Sequence, residues 1–254
     1  MALHYLAKLS SPERDYRNNL HLGFLLCWIA GALNAGGFLA VGRYTSHMTG
    51  ILSTAADDLV LHQLIPALAA FLMLCAFILG AACTAIWINF AKRNGHRFHY
   101  SPVLFAESVL LLIFGFLGRG LLQHELVTVS LITMLLCFTM GLQNALITKI
   151  SQAEIRTTHV TGLVTDIGIE IGKLLYWNYD QKQNEHSMVR ANREKLRLRF
   201  ALVFAFFAGG VAGAAGFKFI GFISTIPLAL LLVALGLAPL LDEKKHRHED
   251  GVSE

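Results

Sequence analysis

Long apolar stretches alternate with short polar segments along the whole chain. Each stretch holds about 20 mostly apolar residues, and a helix of that length, rising about 1.5 Å per residue, crosses the roughly 30 Å hydrocarbon core of a bilayer. Transmembrane β-strands would instead alternate apolar and polar residues over segments of about ten. The pattern therefore predicts six membrane-spanning helices, at residues 20–41, 64–90, 101–117, 127–148, 200–219 and 221–241.

The composition also favours a membrane protein. Apolar residues make up 55% of the 254 positions and charged residues only 15%, which would be unusual for a soluble domain of this size. The first apolar stretch is longer than the roughly 7 to 15 residues of a secretory signal core, so we expect it to be retained as an anchor. The lipid bilayer is thus the first predicted partner of the chain.

Basic residues are concentrated on alternate loops. Of the 21 Lys and Arg residues, only Arg43, Arg119 and Lys218 fall outside the N-terminal segment, the second loop, the fourth loop region and the C-terminal tail. Because Lys and Arg accumulate on the cytoplasmic side, both termini are predicted to be cytoplasmic. This basic collar accounts for the net charge of +4, so no nucleic-acid partner is predicted.

Two polar motifs occur twice, in the same order. GALNA at 31–35 matches GLQNA at 141–145, and HMTG at 47–50 matches HVTG at 159–162. The copies begin on the first and fourth predicted spans, and three crossings in each repeat turn the second copy upside down. The sequence therefore predicts an all-α polytopic fold of two inverted three-helix repeats, as in many secondary transporters. The predicted organisation is an N-terminal segment at 1–19, a first repeat at 20–118, a second repeat at 127–241 with a basic cytoplasmic loop at 178–199, and a cytoplasmic tail at 242–254.

A short amphipathic helix is predicted after each Thr-Gly pair. In the first copy, apolar residues such as Ile51 oppose Asp57 and Asp58, and in the second Ile167 and its apolar neighbours oppose Asp166. Each helix is only about three to four turns long, too short to span a bilayer. We therefore expect each to lie at the membrane interface or to re-enter the membrane.

The threonines and glycines of the two motifs are suited to beginning these helices. Thr49 and Thr161 are predicted N-caps, and Gly50 and Gly162 permit close approach of another chain segment or a ligand. The free N–H groups of a helix N-terminus would then face an anionic or carbonyl-bearing group. The simpler interpretation is that Thr and Gly only turn the chain.

The motifs resemble those of a known family. HMTG, and TTHVTGLVTDIGIEIG from Thr157 onwards, each follow a Gly-x-x-Asn-Ala element, as in the YoaK family of bacterial multi-pass membrane proteins. The resemblance covers roughly residues 20–240 and implies a location in the bacterial inner membrane, without implying a substrate or a reaction. Members of that family often carry Asp where this chain has Asn34 and Asn where it has Ile51.

The candidate substrate or gate site combines the polar residues of both copies with one intramembrane acid. It comprises Asn34, His47, Thr49, Gly50, Asp58, Glu107, Asn144, His159, Thr161, Gly162, Asp166 and Glu170. An acid within a span is costly in lipid and by default indicates function, but Glu107 could also reach water at the cytoplasmic end or pair with a basic residue. The asparagines could join helices by hydrogen bonds, and the histidines are either proton carriers or local hydrogen-bond partners.

These features predict a secondary transporter of an unidentified small molecule or ion, with its site at the interface between the repeats. The alternative is a non-transporting membrane scaffold or sensor. Neither HExxH, GxSxG, a Walker loop nor a dinucleotide fingerprint is present, so no enzyme activity, catalytic residue or cofactor is predicted. Cys27, Cys75, Cys83 and Cys137 lie in predicted spans without a CxxC pair, so we expect packing roles and no metal site. Homo-oligomerisation remains open.

Overall fold

The chain is helical in the part that the structure, a computed structural model, describes: residues 16–96, 98–118, 126–151, 158–176 and 189–250. Within these ranges there is no strand, and six helices are long and apolar enough to cross a membrane. The elements are α1 (Tyr16–Val41), α2 (Met48–Val60), α3 (Leu64–Arg93), α4 (Ser101–Gly118), α5 (Leu126–Ile150), α6 (Val160–Leu175), α7 (Arg193–Phe219), a 3₁₀ turn (Gly221–Ser224) and α8 (Thr225–Asp250).

The six predicted spans are confirmed, with differences at the last two. Helix α7 begins at Arg193, several residues before the apolar stretch, because the side chain of Asn192 accepts a hydrogen bond from the backbone N–H of Lys195 at 3.0 Å. This bond satisfies one of the otherwise free N–H groups of the first turn. The last span begins with the 3₁₀ turn at Gly221, whose φ of 71° favours glycine, and its α-helix begins at Thr225.

The two short helices begin earlier than the sequence predicts. The N-cap residues are His47 for α2 and His159 for α6, and neither side chain makes a capping hydrogen bond. Thr49 and Thr161 therefore lie inside the first turn, and the prediction that they are N-caps is wrong. The physical reason is that the residue before each histidine is already held by an asparagine side chain, so the chain turns and starts its helix there.

The long helices pack in a crossed pattern. The most extensive contacts join α1 to α7 and α3 to α5, so the first and fourth spans each pack against a helix from the other half of the chain. Helices α4 and α8 pack together, α1 meets α5, and each short helix lies against the long helix that follows it. The main core forms where α1, α4, α5 and α8 meet, around side chains such as Leu26, Leu104, Leu146 and Leu232.

Glycines allow the crossed helices to approach closely. A Cβ on Gly31 would overlap the carbonyl oxygen of Phe206, and a Cβ on Gly141 would overlap the carbonyl oxygen of Phe77. Small residues at such crossings let two backbones come into contact, which is how helices associate in lipid without a hydrophobic driving force between them. The described cysteines are free thiols, and no group of His, Cys, Asp or Glu among the described residues is arranged to hold a metal ion.

Candidate functional site at the Thr-Gly elements

The chain folds back along α1 before α2 begins. Both the backbone N–H and the hydroxyl of Ser46 donate hydrogen bonds to Oδ1 of Asn34, at 3.2 and 2.9 Å. Asn34 lies seven residues before Val41, the last residue of α1, or roughly 10 Å along the helix axis. Helix α2 therefore starts beside α1, about two turns back from the last residue of α1.

The second copy makes the corresponding contact. The hydroxyl of Thr158 donates a hydrogen bond to Oδ1 of Asn144 at 2.8 Å, while Nδ2 of Asn144 donates to the carbonyl of Met140 at 2.9 Å. Asn144 lies six residues before Ile150, the last residue of α5, or roughly 9 Å along the axis. Helix α6 therefore also starts beside the span that precedes it, back from the last residue of that span. Residues 152–157, which connect the two helices, lie outside the described part.

A histidine covers a glycine in each element. A Cβ on Gly50 would overlap the imidazole of His47, and a Cβ on Gly162 would overlap the imidazole of His159. This contact explains why His and Gly recur at the same spacing: the ring occupies the space that any larger residue would need. The structure thus supports the local packing role for both histidines.

A cavity of about 340 Å³ lies where the two elements meet. The first copy contributes Asn34, Ser46 and His47, and the second contributes Thr158 and Thr161. A second cavity of about 390 Å³ also borders Asn34 and is lined mainly by apolar residues of α1 and α7. The two copies, more than a hundred residues apart in sequence, therefore line the first cavity together, and the mainly apolar second cavity shares Asn34 with it.

The described lining of the cavity includes polar side chains but no charged ones. Among the described residues that line either cavity there is no Asp, Glu, Lys or Arg. The first backbone hydrogen bonds of the short helices come from Ile51 to His47 and from Leu163 to His159, so the N–H groups ahead of them have no partner within their own helix. Two helix N-termini with their positive dipole ends thus lie at the cavity, which favours ligands with hydrogen-bond acceptors.

The two acids of α6 lie elsewhere, in an ion-pair cluster with the start of α7. Arg199 contacts Asp166 at 3.1 Å and Glu170 at 3.8 Å, and Lys173 contacts Glu170 at 2.9 Å. The backbone N–H of Asn192 donates to Oε2 of Glu170 at 2.7 Å. The hydrogen bonds from Lys173 and Asn192 hold the pKa of Glu170 below its ordinary value. These acids fasten α6 to α7 and do not line the described cavities.

The corresponding end of α2 lacks such a cluster. Asp58 is half-buried, and its Oδ2 atom is enclosed without a hydrogen-bond partner. Helix α2 is held instead by apolar contacts of Ile51 and Ala55 with Ala70 and Met73 of α3. This difference between α2 and α6 could not be predicted from the sequence, because only the fold brings Arg199 and Asn192 next to α6.

Glu107 is fully buried on α4, outside the cavity lining. Neither of its carboxyl oxygens has a hydrogen-bond partner, so the interpretation that it reaches water or a basic residue is wrong: the side chain points into the core instead. The side chain of Gln143 on α5 faces this carboxyl group, but the two do not meet the geometry of a hydrogen bond. Sequence reasoning missed Gln143, although it is the polar residue that replaces Leu33 between the aligned GALNA and GLQNA motifs.

Comparison with known proteins identifies the family. A family model described as "Protein of unknown function (DUF1275)" matches residues 22–238. The chain is 26% identical over 171 residues to the "UPF0700 transmembrane protein YoaK" of Bacillus subtilis (strain 168), covering 66% of this chain and 72% of that protein. No solved structure matches the chain. Because the family model matches most of its length, the chain, a membrane protein with six apolar helices, belongs to the DUF1275 family.

Proposed function

We propose that this protein is a secondary transporter of a small polar solute, and that its two halves are inverted repeats with the binding site between them. The observation that carries the proposal is the shared cavity, to which both Thr-Gly elements contribute. A transporter needs a site that two related halves can expose in turn, and such sites form at repeat interfaces where helices are interrupted. A scaffold would gain nothing from placing uncharged polar groups and helix N-termini around an open volume.

The contacts between helices support the inverted repeat. Gly31 on α1 meets Phe206 on α7, and at the equivalent crossing Gly141 on α5 meets Phe77 on α3. One motif offset relates Gly31 to Gly141, and the asparagines and histidines follow the same order. A symmetry operation that exchanges the halves would map the α1–α7 contact onto the α5–α3 contact. These two contacts are the most extensive ones between the described helices, as such a symmetry predicts.

The lining of the cavity favours a solute that is small and rich in hydrogen-bond acceptors. Hydroxyl, amide and imidazole groups surround it, and the free N–H groups of two helix starts add donors. The absence of Lys and Arg from the described lining argues against a multiply charged anion, whereas a carboxylate, an amide or a polyol fits these donors. The adjoining apolar volume beside Phe206 accommodates a short hydrocarbon portion.

The distribution of basic residues supports an orientation with both termini in the cytoplasm of a bacterium, in its inner membrane. In that orientation the loop before α2 opens to the outside and the loop before α6 opens to the cytoplasm. Cysteine-accessibility labelling of intact cells should then modify single cysteines at residues 42–48 and 119–126 from outside. Labelling of the loop before α2 and the loop before α6 from the same side of the membrane would contradict the inverted repeat.

Solute binding is tested by thermal unfolding of the purified protein against a panel of small carboxylates, amides and polyols. A ligand at 100 times its Kd stabilises the folded state by about 2.7 kcal/mol, which raises the unfolding temperature measurably. Thr161→Val removes a hydroxyl from the cavity lining and should abolish the shift. Thr165→Val is the matched control on the same helix, since the Thr165 hydroxyl donates to the carbonyl of Thr161 and does not line the cavity.

Counterflow of the stabilising solute in proteoliposomes then tests transport itself. The proposal expects uptake of labelled solute into vesicles loaded with the unlabelled compound, with loss of uptake in Thr161→Val. If no panel member stabilises the protein and water-soluble thiol reagents reach Thr161→Cys from neither side of the membrane, the scaffold interpretation replaces the transporter.

A further inference from the structure

Four polar atoms are enclosed without partners at the contact between α4 and α5. Both carboxyl oxygens of Glu107 and both amide atoms of Gln143 lack a hydrogen-bond partner, and both side chains are 0% exposed. The two side chains face each other. Buried polar groups in folded proteins are nearly always hydrogen-bonded, so an enclosed acid and amide side by side require a chemical explanation.

No cation accompanies this acid in the described part of the chain. Helix α4 packs against α5, α8 and the 3₁₀ turn, and among the described side chains of these three elements the titratable residues are Cys137 and Lys149 of α5. Lys149 lies six residues beyond Gln143, roughly 9 Å along the helix. On the side of α3, Lys92 is held over the ring of Tyr100, with its nitrogen 5.8 Å from the ring centre. The carboxyl group therefore lies in an apolar setting, beside Leu104 and Leu111.

The chemistry of the pair is complementary only when the acid carries a proton. A carboxylic acid donates through its O–H and accepts through its carbonyl, and a primary amide does the same, so a small rotation of either side chain would satisfy all four atoms. A carboxylate can only accept, and it would leave the amide oxygen of Gln143 facing a negative charge in an apolar interior. We propose that Glu107 and Gln143 form a proton-binding site, in which Glu107 is held as a neutral acid hydrogen-bonded to Gln143.

The proposed repeat relates this pair of positions to a second pair, and only the first of the two carries an acid and an amide. In the proposed repeat Gln143 corresponds to Leu33, and with Pro102 set against Pro227, Glu107 corresponds to Leu232. Both leucines are buried in the main core, so apolar side chains occupy the two related positions. The acid and the amide are thus additions to a fold that does not need them.

The location of the pair links the proton to movement of the halves. Glu107 lies on the last span of the first half and Gln143 on the first span of the second, so the proton can leave only when that contact opens to water. This step rests on the proposed function: in a transporter of this design, the bound proton is the coupling ion. The binding site itself is independent of transport and is tested without a solute.

Infrared spectroscopy of the full-length protein in lipid near neutral pH tests the site. The difference spectrum between the wild type and Glu107→Gln should contain the carbonyl stretch of a protonated carboxylic acid and no carboxylate band. Gln143→Leu should retain that carbonyl band and shift it, because the acid loses its amide partner. A carboxylate band in the first difference spectrum would overturn the proposal, and an unshifted acid band in Gln143→Leu would overturn the pairing with Gln143.

The double variant Glu107→Leu/Gln143→Leu guards against a failure of the single variants to fold. It reproduces the Leu33 and Leu232 arrangement, so we expect it to fold and to lack the acid band. Sodium chloride in place of a potassium salt provides a further arm: a sodium-induced carboxylate band or thermal stabilisation, absent from Glu107→Gln, would assign the site to a metal cation and overturn the proton. If the wild-type protein showed no acid band but bound the solute, this inference would be refuted and the proposed function would stand.

Discussion

The two Thr-Gly elements begin alike and end differently. At the cavity, Ser46 binds Asn34 and Thr158 binds Asn144, and each helix starts directly after a histidine. At their far ends, α6 is held to α7 by the ion pairs of Arg199, whereas the aspartates of α2 make no ion pair among the described residues. The shared part is the one that faces the cavity, so the comparison separates the chemistry of the site from the way each element is attached.

This difference in attachment has a mechanical consequence. Charged hydrogen bonds fix the direction of a helix, while the apolar contacts of Ile51 and Ala55 with α3 allow sliding at lower cost. We therefore expect α2 to move more readily than α6 in the proposed transport cycle.

The largest expected effect lies at the two glycine crossings. Gly31→Ala and Gly141→Ala should each destabilise the protein by about 3 kcal/mol, because the new Cβ would overlap a backbone carbonyl that cannot rotate away. Gly210→Ala is the control, since its Cβ would meet the nearest atom at an ordinary 3.6 Å. Thermal unfolding in detergent measures all three. If only one of the two crossings were sensitive, the equivalence of the halves would be in doubt.

A smaller loss of stability, similar at the two positions, is expected when the asparagines are replaced. Asn34→Ala and Asn144→Ala leave the hydroxyls of Ser46 and Thr158 without their partners, at a cost of about 1 to 3 kcal/mol each. Double-mutant cycles with Ser46→Ala and Thr158→Val isolate the two hydrogen bonds. Coupling energies that differ widely between the cycles would show that the starts of the two helices are not equivalent.

The Glu170 cluster should distinguish the elements. Glu170→Gln removes the acceptor charge for Lys173 and Arg199, so hydrogen exchange should accelerate in α6 and remain unchanged in α2. Lowering the pH should likewise accelerate hydrogen exchange in α6 and not in α2. Because the pKa of Glu170 is lower in the folded protein, its stabilisation is complete above the ordinary pKa of glutamate and is lost as the pH falls through the lowered value. Equal acid sensitivity of exchange in α2 and α6 would contradict the comparison.

The smallest stability change is expected at Asp166, which corresponds to Thr54 in the first copy. The side chain of Asp166 is 47% exposed in its ion pair with Arg199, and Asp166→Asn should cost no more than about 1 kcal/mol. Because Asp166 lies outside the lining of the described cavities, solute-induced stabilisation should be retained in both Asp166→Asn and Thr54→Ala, with folded yield nearly unchanged. A selective loss of solute-induced stabilisation in Asp166→Asn would contradict this and assign Asp166 to the binding site.

The sequence by itself determined the spans and the duplication. Apolar segments of about 20 residues must form helices in lipid, because every backbone group there needs an internal hydrogen bond. The position and length of the two short helices also followed from the sequence, because polar residues interrupt the apolar pattern at both ends of each helix. His47 and His159 could be selected as candidates because their spacing to asparagine and glycine recurs.

The tertiary structure decided where these residues meet. The chain turns back along α1, so that Ser46 reaches Asn34, and no local pattern encodes this contact. Because of it, the N-caps are the histidines and not the predicted threonines. Arg199 reaches Asp166 and Glu107 faces Gln143 only because separate helices pack side by side. Local hydropathy records which residues avoid water, whereas the partner of a polar group inside the membrane depends on which helices cross and at what height, and packing alone sets both.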